Sequence, residues 1–494
     1  MYQDFSTEEI NAVMQQAREA FAFYRKISIK KRAEFMRAIA ASLEAANDEL
    51  IQTAMKETHL PEARLRSERG RTVLQLRQYA EACEKGEWME ISIDTAIPDK
   101  NPPKPDLRKT VVPLGPVVVF GSSNFPFAYS TAGGDTATAL AAGCPVIVKA
   151  HPAHVETSAM VAAIILKAAE DCNMPKGVFA HVFGTGFEVG KTLVMHSSTK
   201  AVGFTGSYTG GKQLFDWANQ RKEPIPVFSE MGSINPVYLL PAKLNTSASE
   251  IASMYAVSVT LGVGQFCTNP GLIIGVESPS LQIFIHDLGK AIQNIAPAPM
   301  LHAGIVKAYK ENKGSALLQE GVHLVAESEL EVKANDGLPT IATTEAKIFL
   351  NNPVLHKEVF GPYSLVVRCA DAQEMLTVAQ QIEGQLTSTI MGTEQDILSH
   401  TAIVDAVQNT CGRFILNSVP TGVEVCLSMH HGGPFPATTD SRYTSVGADA
   451  IKRFARPVCF QNWPDTLLPE ELQNENPLHI LRRVNNEWTR NKIN

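Results

Sequence analysis

Along the first fifty residues the hydrophobic positions fall three and four apart, and beyond residue 116 they gather into short unbroken runs. The first pattern predicts helices, the second buried strands. Ser6-Thr7-Glu8-Glu9 has the composition of a capping box, and Ile10, Val13, Met14, Ala17 and Phe21 follow on one helical face. A second helix is expected from about Ser28, with Phe35, Met36, Ile39 and Leu43 on its apolar side. Trp88 to Ile97 then alternates as a strand would, a proline-rich turn spans Pro98 to Pro105, and Leu107 to Val112 returns. This predicts a hairpin arm.

From Pro116 the pattern becomes α/β. Val117-Val118-Val119-Phe120 stops at Gly121-Ser122-Ser123-Asn124, and a small-residue helix is expected from about Thr131 to Ala142. Strands at Cys144–Lys149, Val178–Val182 and Lys200–Phe204 alternate with helices at Glu156–Ala169 and Val189–His196. Short all-apolar strands alternating with helices indicate a parallel sheet covered on both faces, whose ligands sit beyond the strands' carboxyl ends. A second α/β portion runs from about Asn235 to Gly433. It has a helix at Ile251–Leu261 leading to Cys267, and strands at Leu272–Gly275, Ser364–Val367 and Arg413–Asn417. The tail holds one strand, Pro457–Gln461, and then a proline-rich, mixed-charge extension.

At 494 residues the chain exceeds what a single core sustains, so two or three domains are expected. A net charge of −7 with no basic stripe argues against a nucleic-acid partner. No stretch approaches the roughly 18 apolar residues of a membrane span, and the first residues lack a secretory pattern. Eight cysteines at irregular spacing, without a C-x-x-C, argue against a disulfide framework and a zinc site. A cytoplasmic protein without a metal is expected.

Five stretches carry candidate chemistry. Gly264-Gln265-Phe266-Cys267-Thr268-Asn269-Pro270-Gly271 sets a thiol at a bend, where it can meet a substrate if its surroundings generate the thiolate; the plain alternative is a buried structural cysteine. Glu230 follows the apolar Pro226-Val227-Phe228, and burial there would raise its pKa toward that of a general base. Asn124 lies just past a strand end, where its amide could donate to an oxyanion or simply shape a turn. Two turns compete to bind a pyrophosphate. Gly184-Thr185-Gly186-Phe187-Glu188-Val189-Gly190 is one, with its last glycine one residue too late for the usual fingerprint; Phe204-Thr205-Gly206-Ser207, with Gly210 and Gly211, is the other.

Asn124-Phe125-Pro126, Lys149, Phe204-Thr205-Gly206-Ser207, Glu230-Met231-Gly232, Gly264-Gln265-Phe266-Cys267 and Glu358-Val359-Phe360-Gly361-Pro362 occur in the order and spacing of the aldehyde dehydrogenase superfamily, which the chain resembles over nearly its whole length. Lys149-Ala150-His151-Pro152-Ala153-His154, Pro420-Thr421-Gly422-Val423-Glu424-Val425, His431 to Thr438 and Arg456 to Asn462 resemble the branch that oxidises 2-oxoglutarate semialdehyde (2,5-dioxopentanoate), which lies near a fatty-aldehyde branch.

The resemblance implies an NAD(P)-dependent oxidoreductase with a Rossmann-type cofactor domain (1–87 and 113–234, with 441–456). An α/β catalytic domain (235–440) and a small β oligomerisation arm with the tail (88–112 and 457–494) complete it. It implies that Cys267 attacks the aldehyde, Asn124 and the Cys267 N–H hold the oxyanion, and Glu230 activates the water that hydrolyses the thioester. Lys149, His151, Phe204, Thr205, Gly206, Ser207, Glu358 and Phe360 would bind the cofactor. Pro152 stands where NAD-binding relatives have a glutamate, which favours NADP over NAD, although an arginine expected near position 187 is Phe187. A homodimer or homotetramer is implied. The substrate's carboxylate calls for an arginine fork, with Arg442 and Arg413 as candidates.

Overall fold

The computed structural model describes residues 2–493 and contains three sheets of five or more strands. Helix Thr7–Tyr24 opens with the expected reciprocal cap: Glu9 N–H donates to Ser6 Oγ at 3.2 Å and Ser6 N–H to Glu9 Oε2 at 2.7 Å. Ile10, Met14 and Ala17 are buried as the periodicity required, but the stripe continues through Ala20 and Tyr24 rather than Phe21. Helix Ile29–Glu44 buries Phe35, Met36, Ile39 and Leu43. Two further helices, Asp48–Thr58 and Glu62–Lys85, complete the helical front and pack with the first sheet into one core.

That sheet is wholly parallel, in the order Phe179–Val182, Val146–Lys149, Val117–Phe120, Ala201–Thr205, Val227–Glu230. Its strands are the short apolar runs of the sequence, and helices Gly134–Ala142, Val155–Asp171, Phe187–Met195 and Tyr208–Gln220 connect them. This is the doubly wound, Rossmann-type arrangement that the alternation predicts. Asn124, Lys149, Thr205 and Glu230 all lie at or beyond carboxyl ends of its strands.

The second sheet has seven strands, ordered His323–Glu327, Thr340–Glu345, Tyr363–Cys369, Leu272–Val276, Val237–Leu239, Gln385–Met391, Cys411–Leu416. All neighbouring pairs are parallel except the first. Helix Pro241–Thr260, longer than the sequence indicates, crosses it and delivers the chain to Cys267.

The third sheet is the arm. Ser92–Asp94 and Leu107–Pro113 pair antiparallel, as the hairpin reading requires, but the first strand is only three residues long and Trp88 lies in a 3₁₀ turn before it. Ala455–Gln461 pairs with Leu107–Pro113 along one edge. The tail, expected to be an extension, adds a short hairpin, Arg482–Val484 with Glu487–Thr489, to the other. No helix among the described residues is long and apolar enough to cross a membrane.

Candidate active site

The turn before Cys267 is held in an uncommon conformation. Gly262, Val263 and Gly264 have φ of 56°, 61° and 63°, a left-handed run that a β-branched valine adopts only when its surroundings enforce it. At Gly264 the requirement for glycine is absolute, because a Cβ there would stand 2.3 Å from the Gly361 carbonyl carbon. The Cys267 carbonyl accepts from Asn235 Nδ2 at 2.9 Å, and the same amide reaches the Asn269 carbonyl at 2.9 Å. Cys267 is thus carried on a braced loop and remains partly exposed.

Two distant segments meet its sulfur. Glu230 ends strand Val227–Glu230 and bridges to Thr438, while the Met231 N–H donates to the Ala437 carbonyl at 2.8 Å. This seats the 431–445 segment against the strand end. Within that segment His431 is fixed by its N–H on Thr444 Oγ1 and its carbonyl on the Ser445 N–H, both at 2.9 Å. His431 Nε2 then lies 3.0 Å from Glu230 Oε1 and 3.6 Å from Cys267 Sγ, and the ligand atoms of all three groups lie within 4.8 Å of one another. Ser445 Oγ donates to the other Glu230 oxygen at 2.8 Å.

Burial and the negative charge of Glu230 push the Cys267 thiol well above its usual range. For Glu230 the sequence expectation is overturned. Burial does push its carboxyl up, but the charge and hydrogen bond of His431, with hydrogen bonds from Ser445 and Cys267, outweigh it and hold the group below the usual carboxylate range. An ionised carboxylate has no proton to offer, so the 3.0 Å contact places a proton on His431 Nε2.

Asn124 Nδ2 donates to the Gln265 carbonyl at 3.1 Å, which sets the amide beside the loop bearing Cys267. Phe204 and Thr205 end the fourth strand of the parallel sheet, and Ser207 caps helix Tyr208–Gln220 through Gly210 N–H to Oγ at 3.2 Å. A Cβ on Gly206 would come within 2.7 Å of the Phe204 ring, so this turn is a tight, bare-backbone cradle. The competing turn is already engaged: the Asp4 carboxylate accepts from Thr185 N–H at 2.9 Å and from its hydroxyl at 3.1 Å. Burial brings Lys149 down to about 8, with Asp4 opposing. His151 Nδ1 accepts from the Ala153 N–H at 3.1 Å, its ring stacks on His154, and the His302 ring centre lies 6.2 Å away. Glu358 lies against Gly232, where a Cβ would meet its Oε2 at 2.5 Å; burial pushes its carboxyl up to about 7. With Phe360, Ser233, Gly264 and Asn269 it lines a cleft.

Residues 1–435 match the family model described as Aldehyde dehydrogenase family. The chain belongs to the aldehyde dehydrogenase family. It is therefore an oxidoreductase that acts on an aldehyde with a nicotinamide cofactor. It is 47% identical over 475 residues to alpha-ketoglutaric semialdehyde dehydrogenase 2 of Azospirillum brasilense, covering 96% of this chain and 90% of that one. The alpha-ketoglutaric semialdehyde dehydrogenase of Acinetobacter baylyi is 42% identical over 493 residues, covering 99% and 93%. Among solved structures, 1-pyrroline-5-carboxylate dehydrogenase from Thermus with bound NAD superposes with a TM-score of 0.76 at 21% identity, over 93% of this chain and 86% of that one. Proline utilization A from Bdellovibrio bacteriovorus gives 0.77 at 22% identity over 93% of this chain, which spans 46% of the longer protein.

For this aldehyde dehydrogenase the sequence reading missed His431. No histidine lies near Cys267 along the chain; the fold supplies one from 164 residues away. A Cys/His/Glu cluster would also suit a cysteine hydrolase, and it is the family match that separates the two chemistries. His431-Gly432-Gly433 stood out in the sequence only as part of a resemblance. Of the two candidate arginines, Arg442 pairs with Asp440 at 2.6 Å with its side chain 79% exposed, which removes it from the pocket.

Proposed function

We propose that this enzyme oxidises 2-oxoglutarate semialdehyde to 2-oxoglutarate. The observation that carries the reading is the match, over nearly full length, to the two relatives of that name, at 47% and 42% identity. The geometry around Cys267 supports oxidation through a covalent thioester. The thiol proton passes to the Glu230 carboxylate, within 4.8 Å, while His431 Nε2–H turns from the carboxylate toward the new thiolate. Cys267 Sγ attacks the aldehyde carbon, and the Asn124 amide with the Cys267 N–H receives the developing oxyanion. Once the carbon is oxidised to a thioester and Glu230 has released the thiol proton to solvent, its carboxylate takes a proton from the water that cleaves the thioester.

Lys149, His151, Phe204, Thr205, Gly206, Ser207, Glu358 and Phe360 would hold the nicotinamide dinucleotide, which when bound supplies the hydride acceptor. The bare turn at Gly206 and the engagement of the Gly184 turn by Asp4 both favour the Phe204–Ser207 cradle for the phosphates. Pro152 supports NADP over NAD, and Asp4, whose charge reaches Lys149, limits that preference.

In this reading residues 1–87 with 113–234 and 441–456 form the cofactor half, 235–440 the catalytic half, and 88–112 with 457–494 the arm. The arm leaves Ala455–Gln461 with an open edge, and the seven-stranded sheet ends at Cys411–Leu416 with Phe414 and Leu416 exposed. Such edges pair between subunits, which supports a homodimer or homotetramer.

Cofactor-reduction rates with 2,5-dioxopentanoate and a long alkanal, each with NAD and with NADP, test the proposal. A much higher kcat/KM for the alkanal overturns the substrate, and a higher kcat/KM with NAD overturns the cofactor preference.

A further inference from the structure

We propose that Arg71, backed by Arg413, binds the carboxylate at the far end of the substrate. The inference rests on the substrate class proposed above and names the groups that recognise it.

Arg64, Glu68 and Arg71 fall at i, i+4 and i+7 of helix Glu62–Lys85, on the face turned toward the active site. The first two are fully engaged. Arg64 pairs with Glu68 at 3.0 Å and lies over Phe125 and Phe266, 4.5 and 5.1 Å from the ring centres. The other Glu68 oxygen accepts the Phe127 and Ala128 N–H groups at 2.9 and 3.0 Å. Arg71 has no carboxylate partner among the described residues. Its Nη2 donates to the Tyr129 hydroxyl at 3.3 Å, its guanidinium lies 5.7 Å from that ring's centre, and its Nε is buried without a partner.

Tyr129 connects Arg71 to the chemistry. Its ring centre is 6.5 Å from that of His431, whose Nε2 is 3.6 Å from Cys267 Sγ. Arg413 lies on strand Cys411–Leu416, near enough for charge on Cys267 and Tyr129 to act on it. It donates from Nη1 to the Gly422 carbonyl at 2.7 Å and from Nη2 to that of Pro420, and its Nε is likewise buried without a partner. The positive charge of Arg71 is felt at Cys267, and Arg413 senses both Cys267 and Tyr129.

Two guanidinium groups without counter-ions, each with a buried donor left over, are costly to hold beside an aromatic wall unless an anion joins them. The fully extended chain of 2,5-dioxopentanoate puts its carboxylate carbon four bonds, or about 5 Å, from the aldehyde carbon. In this reading the carboxylate extends from Cys267 past His431 toward Tyr129, whose hydroxyl already accepts from Arg71. A long alkanal would leave both cations unpaired.

The test compares wild type, Arg71→Gln and Arg71→Lys on 2,5-dioxopentanoate, 5-oxopentanoate and pentanal, and measures product inhibition by 2-oxoglutarate. In Arg71→Gln the kcat/KM for both acids should fall about 10- to 100-fold relative to pentanal, mostly through KM, and the inhibition constant of 2-oxoglutarate should rise by a similar factor. Arg71→Lys should restore part of both losses, since it keeps the charge and loses the fork. An equal fall for acids and pentanal would mean that Arg71 merely props Tyr129, and would overturn the proposal. A wild type that prefers pentanal overturns the substrate reading instead. The anchor then stands or falls on whether Arg71→Gln still changes the ratio of 5-oxopentanoate to pentanal.

Discussion

Replacing His431 by phenylalanine removes the Nε2 donor and keeps an aromatic ring against Tyr129. In the wild type the Glu230 carboxyl is pulled up by burial and pulled down, further, by His431, Ser445 and Cys267. Without His431 burial dominates, so the carboxyl moves above its usual range. A hydrogen bond to a charged group contributes about 1.5–3 kcal/mol, and 1.36 kcal/mol corresponds to one pKa unit, so the move should be about one to two units. Two measurements follow from its sign. The acid limb of the kcat profile should shift to higher pH by that amount, because the ionised base is lost sooner as pH falls. A depressed folded pKa gives stability that is present above the unfolded value and lost as pH falls through the folded one. His431→Phe should therefore be less stable than wild type at neutral pH, by about 1.5–3 kcal/mol in denaturant unfolding, and the difference should close in acid. Alkylation of Cys267 by iodoacetamide, which needs no cofactor, should slow at pH 7 as the thiolate loses its donor. An acid limb and an alkylation profile that both superpose on the wild type would refute the assignment of His431 as the group that sets the charge of Glu230 and Cys267.

Glu358, pushed up to about 7 by burial, should lose its proton as pH rises through that value. If its carboxylate accepts from the cofactor, the KM for NAD(P) should fall between pH 6 and 8, and Glu358→Gln should flatten that dependence; a slope that survives in the variant assigns it to another group. Gly264→Ala forces a side chain into φ +63° and against the Gly361 carbonyl. A loss of about 1–3 kcal/mol is expected from the backbone alone, read as a lower midpoint in urea, and an unchanged midpoint would contradict the packing described. Glu230→Gln should give one burst of reduced cofactor in stopped flow and then stall with Cys267 acylated, whereas steady turnover would show that another group activates the water.

What was legible in the sequence is what local chemistry dictates. Val117-Val118-Val119-Phe120 and Val146-Ile147-Val148, which Lys149 ends, read as buried parallel strands because their consecutive apolar side chains leave neither face for water. Helix Glu62–Lys85 left no such trace. Its inner face carries Glu68, a residue that signals solvent, and Arg64, the charge of Arg71 and two backbone N–H groups from residues 127 and 128 make its burial tolerable. The tail hairpin was hidden in the same way. Arg482 looks like part of a charged extension, yet it is fully buried, with its guanidinium on the carbonyls of Glu471, Gln473, Asn474 and Asn491.

The same limit explains why Glu230 was placed correctly and its charge was not. Position 230 follows from the strand that precedes it, and burial follows from position. Burial is only one of the influences on a carboxyl, and here the opposing ones come from His431 and Ser445, 201 and 215 residues further along the chain. A bend rich in glycine can likewise expose a thiol, but burial of Cys267 beside an anion makes that thiol harder to ionise. Reactivity at Cys267 therefore has to come from groups the bend does not contain. His431 can donate to the thiolate once it forms, and Arg71 lowers the cost of forming it from across Tyr129. A substrate carboxylate that neutralised Arg71 would weaken that second influence, so sulfur activation and substrate binding oppose each other at one guanidinium. His431 must then carry most of the thiolate's stabilisation in the loaded enzyme, which makes its replacement more damaging to turnover of the oxo acid than to turnover of a neutral aldehyde.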